Sequence, residues 1–308
     1  MGKTSSSLDR VIEIPEDLAA SQAECNGEAG RAFIAGLPGR AEEFVDRWGL
    51  RLTGPSMHGA ASLVLPVVRA DGTRAALKLQ LLDEETEGEP VALRAWAGDG
   101  AVRLLEHDQE TGTMLLERAD ESRHLSTLGD AREAVRVLAD LLARLVAVPA
   151  PPGLRSLGDV AARMVAETPE AAGRLADPDD AALLRTCASV VREVMGEPGD
   201  RLLHWDLHYD NVLASEREPW LAIDPKPLVG DPGFDLMPAL TNLWDPDPAV
   251  TSWRFDLLTE RLGLDRARAG AWTLARVLQN GLWDVADGEP ALDPDQVSIA
   301  RNLLARHP

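Results

Sequence analysis

The chain has 308 residues, 45% hydrophobic and 27% charged, with 31 Lys and Arg against 51 Asp and Glu for a formal charge of −20. This is the composition of a folded globular protein with room for two lobes or one large domain, and it excludes a largely disordered or collagen-like chain. The acidic excess is spread evenly along the sequence and repels DNA, RNA and anionic lipid, so no nucleic acid or membrane partner is expected.

The N-terminal stretch MGKTSSSLDRVIEIPED lacks the apolar core of a signal peptide, and no run of about 18 apolar residues follows, so the protein is expected in the cytoplasm. Gly2 with Ser6 imitates a myristoylation signal, and Gly2-Lys3-Thr4 the end of a P-loop, each without its required context. Glu28 to Leu50 reads as a helix, with Ala32, Phe33, Leu37, Phe44, Val45 and Trp48 apolar and Gly36, Pro38 and Gly39 as interruptions. Leu63 to Val68 and Ala75 to Leu82 are apolar runs around an Asp71-Gly72 turn, which predicts an antiparallel hairpin. Ala92 to Ala97 looks helical after Pro90, and Val102 to Arg118 repeats the strand, turn, strand pattern across Gly112.

From Leu128 the period changes. Val135, Leu138, Leu141, Leu142 and Leu145 recur at three and four, an amphipathic helix ending before Pro149. Further helices are expected over Leu157 to Met195 and from Phe234 onward, with two short strands flanking residues 202–224. The two cysteines, Cys25 and Cys187, show no metal-ligand spacing and read as packing residues in a reducing compartment. The fold class is α+β: an N-terminal sheet-rich lobe over residues 1–118, with an extension at 1–50, and a mostly helical C-terminal lobe over 119–308.

The chemistry concentrates in HWDLHYDN, His204 to Asn211, between the apolar pair Leu202-Leu203 and Val212-Leu213-Ala214. Asp206 and Asn211 lie on a loop between strands, and Trp220-Leu221-Ala222-Ile223-Asp224 is a further strand ending in a carboxylate. Phosphoryl transfer needs this set: Asp206 to orient and deprotonate a hydroxyl, Asn211 and Asp224 as hard oxygen ligands for Mg²⁺ on nucleotide phosphates. His204 and His208 have the spacing of a zinc helix, but Trp205 stands where a zincin has Glu.

The sequence holds only three lysines, Lys3, Lys78 and Lys226, against 28 arginines. Lys78, inside an apolar strand, suits the α- and β-phosphates of ATP, with Glu89 as its carboxylate partner and Glu85 as the alternative. Gly54 and Gly59 precede the first strand and suit a turn whose N–H groups face phosphate. Glu117 and Ala119, after the strand MLLE, are placed to offer backbone groups to an adenine edge.

Taken together, Gly54 and Gly59, Lys78, Glu89, Glu117, HWDLHYDN and IDP resemble, in order, the protein-kinase-like fold. More narrowly, they are similar to its antibiotic-kinase branch of aminoglycoside and hydroxyurea kinases. That resemblance covers the chain from about residue 50 onward and implies Asp206 as catalytic base, His208 near the transferred phosphate, and Asp235 as a buried carboxylate pinning the catalytic loop. It also implies ATP and Mg²⁺ as cofactors and phosphorylation of the 6-hydroxyl of streptomycin, whose positive charge an acidic protein attracts; separately, a monomer is expected. Asp231, Trp283 and Asp284 are the expected substrate contacts, through paired hydrogen bonds and stacking with a guanidinium. Hydroxyurea or another small hydroxylated molecule is the alternative acceptor, and a non-catalytic nucleotide-binding module the alternative class.

Overall fold

The computed structural model describes residues 12–59 and 61–306, so the Gly2, Lys3, Thr4 and Ser6 signals lie outside the described residues. The chain divides into two compact units, residues 1–90 with 103–118, and residues 91–102 with 119–308. Residues 91–102, which the sequence reading puts in the first lobe, thus group with the second.

In the first unit, α1 spans Glu16–Arg47 and is broken at Gly27, whose φ of 52° and ψ of −122° only glycine adopts without strain. The expected helix from Glu28 is its second half. The first half was not foreseen, because residues 16–26 carry little apolar periodicity. The helix runs through Pro38, since Phe33, Leu37, Ala41 and Phe44 at three- and four-residue spacing are buried and outweigh the local breakers. The strands are β1 (Arg51–Leu52), β2 (Met57–His58), β3 (Ser62–Val68) and β4 (Arg74–Gln80), then, after helix α2 (Glu89–Trp96), β5 (Leu104–His107) and β6 (Met114–Glu117). They form one antiparallel sheet in the order β1-β3-β4-β6-β5, with β2 also on β3. Leu63, Leu65, Val67, Ala75, Leu77 and Leu79 pack with α1 in one core. Because strand side chains alternate, Lys78 stands on the opposite face from Leu77 and Leu79.

The second unit begins with the rest of α2 and continues as β7 (Asp120–His124), α3 (Ala131–Leu145), β8 (Arg155–Ser156), α4 (Leu157–Arg174), α5 (Pro178–Val194) and β9 (Arg201–Leu203). Then come β10 (Val212–Ala214), β11 (Trp220–Ala222), β12 (Leu228–Gly230), α6 (Met237–Thr241), α7 (Pro248–Leu262), α8 (Arg266–Ala286) and α9 (Pro294–Arg306). The apolar stripe of α3 is buried as expected, and Asp130 caps the helix by accepting from the amides of Arg132 and Glu133. Two small sheets, β11-β10-β7 and β8-β12-β9, flank the segment His204 to Asn211. Among the described residues no helix is long and apolar enough to cross a membrane.

Candidate active site

Strand β9 delivers the chain into His204, and the β10–β11 hairpin, with Val212 opposite Ala222, returns it to Asp224 beside Asn211. The Ile223 amide donates to the Asn211 carbonyl at 2.9 Å, and the Asn211 side-chain amide donates to the Asp206 carbonyl at 2.9 Å. That bond fixes which end of the amide is nitrogen and leaves Oδ1 as the acceptor. Four described non-glycine residues have positive φ, and two belong here: Trp205 at 67° and Asp224 at 57°. Backbone in this region costs on the order of 1–3 kcal/mol and persists where surrounding contacts over-determine it.

At Trp205, Asp235 supplies those contacts. It is fully buried, and its two carboxylate oxygens accept the amides of His204 at 2.9 Å and Trp205 at 2.7 Å. Burial pushes its pKa up to about 7, against the pull of those two amides and of Arg276. His204 is also fully buried, and burial pushes it down to about 4, so it is a neutral ring. Its Nδ1 faces the Asp206 amide at 3.4 Å, its Nε2 lies 3.0 Å from the Ile223 carbonyl, and it stacks on Trp96. The Trp205 ring is flanked by the guanidinium groups of Arg155 at 4.7 Å and Arg276 at 5.2 Å. Tyr209 ties the far end of the loop to α6, its hydroxyl donating to the Ala239 carbonyl and its amide to Asn242.

Asp206 and His208 line a cavity of about 310 Å³ with Met237, Pro238, Thr241, Asn242, Arg276 and Asn280. His208 Nδ1 accepts the Asp210 amide at 3.2 Å, which leaves Nε2 as the nitrogen that can donate. In the first unit, Lys78 reaches both oxygens of Glu89 at 2.8 and 2.7 Å, in a pair whose side chains are 5% and 1% exposed. The partner is therefore Glu89; the Glu85 amide stands in the preceding turn, held by Asp83.

The other expected site residues are placed as follows. Gly59 closes the β2–β3 turn, its amide donating to the Ser62 carbonyl at 3.0 Å, so that N–H is not offered to phosphate. An added Cβ at Gly54 would stand 3.0 Å from the Pro66 ring. The Glu117 amide donates to the Arg103 carbonyl at 2.8 Å, and Ala119 lies in the link between β6 and β7. Asp231 is nearly buried, caps the turn at Pro232–Leu236 through the Gly233 amide, and pairs with Arg268 at 2.6 Å. It belongs to the fold and does not line the cavity, so its assignment as a substrate contact is withdrawn. Asp284 is also absent from the cavity wall; burial raises its pKa, with Asp293, Asp287 and Glu289 as further acidic neighbours. Trp283 stands close by, 41% exposed, its ring 6.2 Å from Trp205 and 5.2 Å from the Arg276 guanidinium.

A family model for the aminoglycoside/hydroxyurea antibiotic resistance kinases matches residues 47–288. The chain belongs to that family. It is 64% identical to a hydroxyurea phosphotransferase of Kitasatospora aureofaciens over 96% of this chain and 87% of that protein. It is 60% identical to a streptomycin 6-kinase of Streptomyces glaucescens over 96% of this chain and 99% of that one. Among solved structures it shares its fold with an aminoglycoside phosphotransferase mutant in ternary complex with AMP-PNP and hygromycin B, at a TM-score of 0.60 and 16% identity, covering 86% of this chain and 98% of that one. This is a phosphotransferase with the two-lobed α+β architecture of the protein-kinase-like fold.

Sequence reasoning did not single out the cavity-wall residues Met237, Pro238, Thr241, Asn242, Arg276 and Asn280, nor Lys226 beside Asp206, and two of these carried a signal. Arg276, on α8, lines the cavity and stacks on Trp205, Phe234 and Trp283. Its signal was a lone arginine in the apolar run AWTLARVLQNGLW. Lys226 lies 3.8 Å from Asp206 Oδ2, and its signal was the scarcity of lysine.

Proposed function

We propose that this chain transfers the γ-phosphoryl group of ATP to the 6-hydroxyl of streptomycin and so inactivates the antibiotic, acting in the cytoplasm as a monomer. The observation that carries this reading is the loop from His204 to Asn211, fixed from below by Asp235, with Asp206 and His208 on the wall of one cavity. Asp206 holds the acceptor hydroxyl and takes its proton. Lys78, oriented by Glu89, holds the α- and β-phosphates. Asn211 Oδ1 and the Asp224 carboxylate are hard oxygen donors. Two protein ligands suit Mg²⁺, which keeps water and phosphate oxygens in the rest of its shell. When bound, Mg²⁺ neutralises charge on the β- and γ-phosphate oxygens.

A second reading, hydroxyurea as acceptor, is favoured by the cavity itself. Its one carboxylate is the base, and Arg276, Asn242, Asn280 and Thr241 suit a neutral amide-like molecule. Incubating the full chain with Mg-ATP and each compound, followed by phosphorus NMR and mass spectrometry, separates the two. A phosphate ester at the streptomycin 6-hydroxyl supports the first, and a phosphorylated hydroxyurea with intact streptomycin supports the second. No transfer to either sinks both.

A further inference from the structure

Two lysines fall among the described residues, in a sequence with 28 arginines, and each stands on a carboxylate of its own unit: Lys78 on Glu89 in the first and Lys226 on Asp206 in the second. Surface ion pairs such as Arg47–Asp108 and Arg69–Glu106 use arginine instead. Lys226 follows Asp224 by two residues, and its amide donates to the His204 carbonyl at 3.0 Å, which anchors its backbone to the segment that carries the base. Its ammonium is 3.8 Å from Asp206 Oδ2, with the two side chains 34% and 24% exposed. That spacing is longer than the roughly 2.7–2.9 Å of a closed charged hydrogen bond.

We infer that Lys226 is a further catalytic residue of this kinase, whose ammonium contacts the phosphoryl group as it passes to the acceptor oxygen. The inference rests on the phosphotransfer reading above. An acceptor hydroxyl bound by Asp206 sits roughly 2.6–3.2 Å from the carboxylate, and the phosphorus lies one bond further on. An ammonium beside the same carboxylate oxygen is therefore within reach of the equatorial phosphoryl oxygens. In the step itself the bond from the acceptor oxygen to the γ-phosphorus forms and the bond to the β,γ-bridging oxygen breaks. The hydroxyl proton moves to Asp206, and the electron pair of the broken bond leaves on ADP.

Negative charge spreads over the equatorial oxygens, and a fixed cation placed there stabilises the transition state more than the ground state. His208 is engaged at Nδ1 by the Asp210 amide, whereas the Lys226 ammonium stands beside Asp206 itself. Lysine suits the task better than arginine: a compact ammonium with rotatable donors leaves Asp206 easily, whereas a guanidinium fork would clamp the carboxylate through two bonds.

The test compares wild type, Lys226→Met and Lys226→Arg by steady-state transfer to streptomycin and hydroxyurea, and by slow ATP hydrolysis without acceptor, which needs no acceptor identity. Lys226→Met is expected to lower kcat about 100-fold with each KM within about threefold and the protein still folded, its stability changed only slightly. Lys226→Arg is expected to recover about tenfold, because it restores charge without the mobility. A Lys226→Met kcat within twofold of wild type overturns the proposal, as does Lys226→Arg no better than Met. A fall in kcat/KM carried by KM alone also overturns it. Wild type that neither transfers nor hydrolyses overturns the kinase reading itself, an outcome distinct from the other three.

Discussion

The two lysine–carboxylate pairs of this kinase differ in a way that separates holding from reacting. Lys78 and Glu89 are buried and closed, at 2.7 and 2.8 Å, whereas Lys226 and Asp206 are part-exposed and 3.8 Å apart. A buried pair is costly to break, because removing one partner leaves a desolvated charge. A part-exposed pair contributes little to stability and stays available to a third group. The first arrangement suits a fixed orienting cation, the second a site where protons and phosphate move.

The contrast breaks hardest at Asp206, the proposed base. Asp206→Asn is expected to lower kcat about 1,000-fold while nucleotide affinity stays within a few-fold, since proton removal matters in the transition state. Turnover near wild type, with nucleotide affinity measured in parallel, would remove Asp206 from its role. Next, Glu89→Ala is expected to destabilise the fold by about 3–5 kcal/mol, read as a lower urea midpoint, while Lys226→Met shifts it by about 1 kcal/mol or less. Equal shifts for the two would erase the distinction.

Beneath the loop, His204 and Asp235 oppose each other with pH. The folded histidine has its pKa lowered from 6.5 to about 4, so its contribution is present above pH 6.5 and lost as pH falls through about 4. The folded aspartate has its pKa raised from 3.8 to about 7, so its contribution is present below pH 3.8 and lost as pH rises through about 7. Each effect is on the order of 3–4 kcal/mol over the window and the two have opposite slopes, so together they leave wild type nearly flat between about pH 4 and 6.5. His204→Gln should make the urea midpoint fall with rising pH, and Asp235→Asn should make it rise. Parallel profiles for the two variants would contradict the opposition. The smallest effect is expected at Asp284, where Asn relieves acidic crowding: stability within about 0.5 kcal/mol of wild type and the KM for streptomycin unchanged. A several-fold rise in that KM would return Asp284 to the substrate site.

What was legible in the sequence had a local signature. The β3–β4 hairpin announces itself through alternating apolar residues around Asp71-Gly72, and α3 through its leucine spacing. HWDLHYDN and the strand ending in Asp224 were readable because chain order alone places them. Strand β7 was not, since DESRH has no apolar alternation and is joined to β10 through backbone. Lys226 escaped for a related reason: its partner is twenty residues earlier, and only the β10–β11 hairpin brings the two together. Asp231 and Asp284 misled because acidity says nothing about whether an arginine of the fold, as at Arg268, already occupies a carboxylate.

The double hold of Asp235 on the His204 and Trp205 amides bears on how such an enzyme changes its target. The loop that carries Asp206, the proposed base, is held from the interior, whereas much of the cavity wall is supplied by side chains on α6 and α8. Met237, Thr241 and Asn280 can therefore drift without disturbing the reacting carboxylate. Arg276 and Asn242 are less free, because one stacks on Trp205 and the other accepts the Tyr209 amide. The hold on Asp206 and the wall around it thus rest on separate contacts, so exchanges at Met237, Thr241 and Asn280 are expected to reshape the cavity for a different acceptor without displacing Asp206.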